Sequence, residues 1–441
     1  MMKIKLPAPV IKCLHIFSEH DFEAYIVGGC VRDYILDQIP DDIDITTNAS
    51  PQEIIKLFAG FKIIETGLKH GTVTVIIDSM PLEITTYRSS MGQNKADFSS
   101  CLAADLAKRD FTINALVYNE QDGIIDLHQG ISDIKNKIIR GIDDPAARFI
   151  EDPLRIMRGL RFAAVLGFEI ESHTEQAMFV HRQLLCETAS ERLAVELNKL
   201  LCGAQAHTVI KKYIEILDQV VPGLLSLNNF QQNNPYHSYD VLSHTATVVA
   251  NLPIISYLRL AGLLHDIGKP HTYTQDECGV GHFYGHDELG EKLSKEILKD
   301  LKYDHFTITR VALLIKYHDV SLQANKKYIK RWLNKLTPEV FRELLLLKRA
   351  DILGQNLDYL YRLEVIDKIE ALTQEIISEQ ACFSLRDLKI DGSDLLRLGI
   401  PAGKQIGEIL NRLLIMVMEE QIENESEVLQ QKALQLNDCK L

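Results

Sequence analysis

The rhythm of apolar and polar positions changes once along this chain. Up to about residue 140, short alternating runs lie between helical periods; beyond about Gly141 the three-and-four spacing of helices is nearly unbroken. Pro9 to His20 predicts a helix, followed by the apolar strand AYIVGG, the helix VRDYIL and the strand DIDITT. Pro51 opens another helix with Ser50 as its N-cap. GTVTVIIDSMPLEITTYR alternates, turns around Asp78 to Pro81 and alternates again, which predicts a β-hairpin. The later helices break near Asn228–Pro235 and at Gly392–Pro401. The pattern is an α+β head followed by helical domains, without internal repeat or low-complexity tract.

Composition narrows the class. At ~150 residues per domain, 441 residues suggest about three domains, and 46% apolar with 25% charged residues is ordinary for a globular protein. No apolar run approaches the ~20 residues of a membrane span. The opening MMKIKLPAPVIKCLHIF is too polar, and too interrupted by Pro7 and Pro9, for a signal peptide. The expectation is a cytoplasmic protein with no membrane partner. Eight cysteines without a C-x-x-C pair read as reduced thiols. A net charge of −13 argues against indiscriminate nucleic-acid binding but leaves room for a local basic groove. Arg155, Arg158 and Arg161 form one basic cluster. Lys326, Lys327, Lys330 and Arg331 form another, which reads as a solvated helix face.

Gly28-Gly29-Cys30-Val31-Arg32-Asp33, followed by Asp42-Ile43-Asp44, is the most informative stretch. Adjacent glycines after a strand let backbone approach a triphosphate, and the following helix N-terminus favours negative charge. Arg32 can add a charge-assisted phosphate contact. Asp42 and Asp44, two apart on a strand, point to one face and suit Mg²⁺. Paired ions there would activate a 3′-hydroxyl and stabilise leaving pyrophosphate.

Glu151-Asp152-Pro153-Leu154-Arg155 opens a helix with Pro153 in its first turn, so that Asp152 and Arg155 share a face. Together they offer an acceptor beside a fork of donors. Cytosine and adenine both present an amine next to a ring acceptor and fit this pair. Guanine and uracil present the reverse order and leave groups unpaired, at ~1–3 kcal/mol each. Arg158 and Arg161 continue the face toward phosphate or sugar.

A second constellation comprises His244, His265-Asp266-Ile267-Gly268-Lys269, His286 and His318-Asp319. Histidine and aspartate are natural ligands of divalent transition metals. His265-Asp266 ends the apolar helix YLRLAGLLHD, His244 lies on an earlier helix and Asp319 closes a later one. His282, in GHFYGH, reads as a supporting residue.

Over roughly the first 200 residues, GGCVRD, DDIDITT, LEITTYR, KRDFTINAL, EDPLRIMRGLRF and SERLAVEL resemble class II tRNA nucleotidyltransferases and bacterial poly(A) polymerases, of the DNA polymerase β-like superfamily. The resemblance implies Asp42 and Asp44 as Mg²⁺ ligands, with Glu83 or Asp110 as the third carboxylate, Arg109 as a nucleotide-binding arginine, and Asp152 and Arg155 as a protein template for the base. The histidines resemble the HD phosphohydrolase superfamily, whose metal quartet maps onto His244, His265, Asp266 and Asp319, with His286 and His318 available to a second ion. The organisation implied is a mixed-sheet nucleotidyltransferase head (1–140), an all-α neck (141–230), an HD domain (231–325) and a helical tRNA-binding region (326–441). The activity implied is untemplated addition of CCA to the tRNA 3′ end from CTP and ATP, with no obligatory protein partner evident.

Two other readings share parts of this pattern: a poly(A) polymerase, and an HD phosphohydrolase or RNA-binding regulator with an inert head. The first is disfavoured by the acidic terminus EEQIENESE, the second by the intact DDID. Ser89–Cys101, between the hairpin and the R-D-F motif, looks shorter than the switching loop of CCA-adding members and lacks its acidic–aromatic–basic run. That raises the expectation that addition stops after two cytidines.

Overall fold

Helix α1 (Ala8–Ser18) buries Val10, Cys13, Leu14 and Phe17 and leads into β1 (Ala24–Val27), which is buried at every position. Then come α2 (Gly29–Ile35), β2 (Asp44–Thr47), α3 (Pro51–Leu57), β3 (Lys62–Ile64), β4 (Thr72–Ile77) and β5 (Met80–Thr86). The α3 start follows from its sequence: Ser50 and Glu53 cap each other's backbone reciprocally and Pro51 sits in the first turn. The β4–β5 turn passes through Asp78 and Ser79 at φ 48° and 70°, the two-residue conformation that matches strand twist. This computed structural model describes residues 4–65, 67–68, 71–87, 101–236 and 238–438.

After α4 (Leu102–Ala107), β6 (Leu116–Asn119) and β7 (Gly123–Asp126) form a second hairpin. Alternation does not reveal it, because LVY is apolar without interruption and buried on both faces. The sheet order is β3-β4-β5-β2-β1-β6-β7, with β2 and β5 parallel and the other neighbours antiparallel. Val73, Val75, Ile77, Leu82 and Ile84 of the hairpin are fully buried, each stabilising by about 1.5–3 kcal/mol. Next follow α5 (Gly130–Asn136), β8 (Ile138–Ile139), α6 (Pro145–Glu151), α7 (Leu154–Leu166), β9 (Glu169–Ile170), α8 (Ser172–His181) and α9 (Ser190–Leu201). In this group α7 packs on α9 and α6 on α8.

Contacts divide the chain into two compact units, residues 1–205 with 215–220 and residues 206–214 with 221–441. The sheet and the helices through α9 thus form one unit. The chain continues with α10 (Ala206–Lys212), α11 (Ile214–Leu217), α12 (Val241–Asn251), α13 (Ser256–Leu264), α14 (Lys269–Thr272), β10 (Thr274–Gln275) and β11 (Gly281–His282). The remainder is α15 (His286–Asp300), α16 (His305–Tyr317), α17 (Lys326–Lys335), α18 (Pro338–Leu353), α19 (Arg362–Ser378), α20 (Gly392–Arg397), α21 (Lys404–Met418) and α22 (Ser426–Asp438). Helices α12, α13, α16 and α18 pack together over buried Val248, Leu263, Val311 and Leu344. Leu395, Ile409, Leu413 and Leu429 form a separate core under α20–α22. Among the described residues no helix is long and apolar enough to cross a membrane.

Candidate active site and candidate metal centre

In the first unit, a cleft of about 600 Å³ opens over the middle of the sheet. Period-two alternation sets its floor: Ile43 and Ile45 are buried, so Asp42 and Asp44 face the open side. The parallel register places Asp44 opposite Glu83, which is exposed between buried Leu82 and Ile84. Three carboxylates therefore line one wall. Protein crowding around Asp44 pushes its pKa up, helped by Glu83 and Asp42 and opposed by Arg109. Adjacent anions held so, on the open side of a sheet, are chemically suited to a hard cation.

The opposite wall is cationic. Gly28, at φ 84°, lies so close to Arg109 that an added Cβ would come within 2.9 Å of Nη1, which ties the glycine pair to the K-R-D-F segment. Among the described residues Arg109 Nε is buried without a hydrogen-bond partner. Arg32 is buried and donates to Asp33 at 2.7 and 2.9 Å and to Asn114 at 2.7 Å. Asp110 is buried too; its Oδ2 accepts from Arg158 Nε at 2.6 Å and its Oδ1 from Asn114 and the Phe111 amide. Burial alone would raise the Asp110 pKa, but the Arg158 charge and these hydrogen bonds hold it below the ordinary carboxylate value. Arg161 lies over the Phe162 ring at 4.1 Å and pairs with Glu196 at 3.2 Å.

Asp152 departs from the expected helix. It sits in extended backbone (φ −146°, ψ 97°) between α6 and α7, because proline disfavours the helical region for the residue before it. Its Oδ1 caps the Leu154 amide at 3.3 Å, and Asp152 and Arg155 still line the same cleft. Arg155 is braced by the Arg148 carbonyl, Glu151 and the Lys108 carbonyl at 3.1, 3.1 and 2.9 Å. The residue that sequence reasoning left without a role here is Arg192 of α9, which forks onto Asp152 at 2.9 and 3.3 Å. Its only signal was its place in SERLAVEL.

In the second unit, His244, His265, Asp266, His286 and His318 are all buried and together form two donor triads that share Asp266. Each imidazole is oriented the same way. Nδ1 meets a backbone carbonyl, that of Gly354, Gly262, Phe283 or Ile315 respectively, at 2.6–3.0 Å. That contact assigns the ring proton to Nδ1 and leaves Nε2 as a lone pair. Yet Nε2 of His244 faces Nε2 of His265 at 3.2 Å, and Nε2 of His286 faces Nε2 of His318 at 3.2 Å. Burial first, then His318, lowers the His286 pKa, which favours the neutral ring. Asp266 turns Oδ2 to the first pair and Oδ1 to the second, and among the described residues neither oxygen accepts a hydrogen bond, although Lys269 Nζ lies 2.7 Å from Oδ2. Facing lone pairs around a shared buried carboxylate fit divalent transition ions.

Asp319 does not join this cluster. His318, the residue that caps α16, is buried, whereas Asp319 follows it in a turn and is exposed. The carboxylate beside His244 is Asp351 of α18, with Oδ1 at 3.0 Å from His244 and 3.8 Å from His265. The boundary expected at residue 325 thus leaves out a cluster member. Gly268 explains the H-D-I-G spacing: a Cβ there would meet the His286 carbonyl at 2.3 Å.

Comparison with known proteins matches both domains. The chain matches the poly A polymerase head domain over residues 24–140, the probable RNA and SrmB-binding site of polymerase A over 167–227, and the HD domain over 236–355. It is 31% identical to a CCA-adding enzyme of Lactobacillus helveticus across 98% of both chains. The chain belongs to the CCA-adding enzyme family. A Lactobacillus johnsonii CCA-adding enzyme is 32% identical over 94% of this chain and 93% of its own. The crystal structure of the Bacillus stearothermophilus CCA-adding enzyme in complex with CTP superposes with a TM-score of 0.74 at 26% identity, over 98% of each chain.

As a CCA-adding enzyme, the chain has a nucleotidyltransferase head whose expected α+β fold is the one observed. The loop Ser89–Cys101 lies almost wholly outside the described residues. The cluster on α17 is more than a solvated face: Lys326 pairs with Glu375 and Glu379, Lys327 and Lys330 with Glu420, and Arg331 with Glu419. These cations join helices of their own unit.

Proposed function

We propose that this enzyme adds the complete CCA end to tRNA from CTP and ATP, without a nucleic-acid template, in the cleft of its head. The register that sets Asp44 against Glu83, with Asp42 on the same face, is the observation that carries the reading. These three carboxylates would hold Mg²⁺, which supplies charge neutralisation for the attacking 3′-hydroxyl and the leaving pyrophosphate, as in two-metal transfer. Gly28, Gly29 and the α2 N-terminus receive the triphosphate together with Arg109. Asp110 is a positioning residue: it aims Arg158 rather than binding metal, which leaves Glu83 as the third carboxylate. Arg32 and Arg161 are likewise held by Asn114 and Glu196 toward phosphate and sugar. Asp152 accepts the base amine and Arg155 donates to the ring acceptor.

A second activity is favoured by the facing Nε2 atoms. His244, His265, Asp266 and Asp351 would hold one divalent transition ion, and His286 and His318 with Asp266 a second. Bound there, the metal supplies a water activated for phosphoester hydrolysis. Lys269, paired to Asp266 and donating to Gln232 at 2.8 Å, places a positive charge beside a phosphoryl group. Action on tRNA fits the expected cytoplasmic location.

Incubating a tRNA that lacks its last three nucleotides with CTP and ATP tests the first reading. The expected product gains C, C and A and then stops. An end after two cytidines would assign the CC-adding reaction, and a long adenosine tail a poly(A) polymerase.

A further inference from the structure

The hydrogen-bond inventory around Asp152 shows what the site has left for a base. An ionised carboxylate offers about four lone-pair positions. Oδ1 accepts from the Leu154 amide and from Arg192 Nη1, both at 3.3 Å, and Oδ2 accepts from Arg192 Nη2 at 2.9 Å. Among the described residues this leaves one acceptor position, on Oδ2. Arg155 has five N–H donors; Nη1 uses two on the Arg148 carbonyl and Glu151, and Nη2 uses one on the Lys108 carbonyl. Two donors remain. One acceptor beside two donors complements the cytosine edge, an amine followed by N3 and O2. Adenine uses the acceptor and one donor.

Guanine offers two adjacent donors, N1–H and N2–H, which pair with both oxygens of an open carboxylate at once. Arg192 forks onto those same two oxygens. We infer that Arg192 excludes guanine from the base-reading site by occupying the two-oxygen face of Asp152. This rests on the base-reading role assigned above to Asp152 and Arg155. Uracil has a single N–H, so a second freed oxygen gives it no additional bond. Arg192 is thus a specificity-determining residue that acts through Asp152, against one competitor rather than two.

The test uses the full-length chain and a tRNA lacking its 3′ end, with CTP, GTP or UTP offered singly. In Arg192→Met, the ratio of GMP to CMP incorporation (kcat/KM) is expected to rise about tenfold or more, while the ratio of UMP to CMP stays at the wild-type value. Arg192→Lys, a point charge that cannot fork, should move the GMP ratio in the same direction by less. An unchanged GMP ratio, or guanine and uracil rising together as a loosened site would allow, overturns the inference. Asp152→Ala separates the two layers. If it relaxes base choice and cancels the guanine gain in the double variant, the inference stands. If it keeps wild-type selectivity, the base-reading assignment falls, and this inference with it.

Discussion

The two sites gather different donors under opposite conditions: carboxylates on an open sheet face, and imidazoles around one aspartate in a buried cluster. In the head, Asp42, Asp44 and Glu83 stand exposed beside one another, with strand register setting Asp44 against Glu83 and Asp42 just before β2. In the helical unit, His244, His265, Asp266, His286 and His318 are buried, with every imidazole fixed by a backbone carbonyl. An exposed carboxylate wall facing a cationic wall suits a ligand that brings its own charge and leaves again, such as a nucleoside triphosphate with its ions. A buried, carbonyl-locked cluster suits a resident ion, because the cost of ordering its ligands is met on folding.

The sharpest break would come at the open wall. Asp42→Ala or Asp44→Ala is expected to lower nucleotide addition by at least about 10³-fold, the scale of a lost transition-state stabiliser, with metal content of the helical unit unchanged. Near-normal rates in folded variants would remove the head from the chemistry. In the buried cluster, Asp351→Ala should weaken retained metal by at least the ~10–100-fold seen when a supporting partner is lost, while Asp319→Ala leaves it intact. Elemental analysis after dialysis separates them, and the reverse order would restore Asp319 as a ligand.

A third test concerns the brace within the cationic wall. Among the described residues, Asp110→Ala leaves Arg158 an ion pair with Glu196, 4.0 Å away, and the Phe162 ring, and should cost up to about 3–5 kcal/mol in denaturant unfolding. The Asp110 pKa is depressed in the fold, so its contribution is fully present above the unfolded value of about 3.9 and is lost as pH falls through the folded value. Equal destabilisation by this variant at pH 3 and pH 7 would contradict that assignment. The smallest effect belongs to α17: Lys326→Ala, at a solvent-screened pair, should change stability and tRNA affinity little. A large loss of affinity would return that helix to the RNA surface.

Local chemistry explains which of these features the chain reveals unaided. Asp42 and Asp44 are legible because strand alternation and two residues of spacing suffice to put them on one face. The H-D-I-G run is legible because Gly268 permits a close approach that no other residue allows. Asp351 is hidden: one aspartate in the helix LLLLKRADIL carries no local sign that it lies beside His244, more than 100 residues earlier. Asp319 drew attention only by following a histidine. The site of Asp152 was legible but its conformation was not, since helical spacing was applied across Pro153. The β6–β7 hairpin was missed for want of alternation.

The division of labour between exposed and buried sites is most directly tested by one assay: incorporation of labelled CMP into truncated tRNA by the full chain carrying both His265→Ala and Asp266→Ala. The account predicts incorporation at the wild-type rate from folded protein that has lost its resident metal. A collapse of incorporation in that folded protein, to the level of Asp42→Ala, would contradict it.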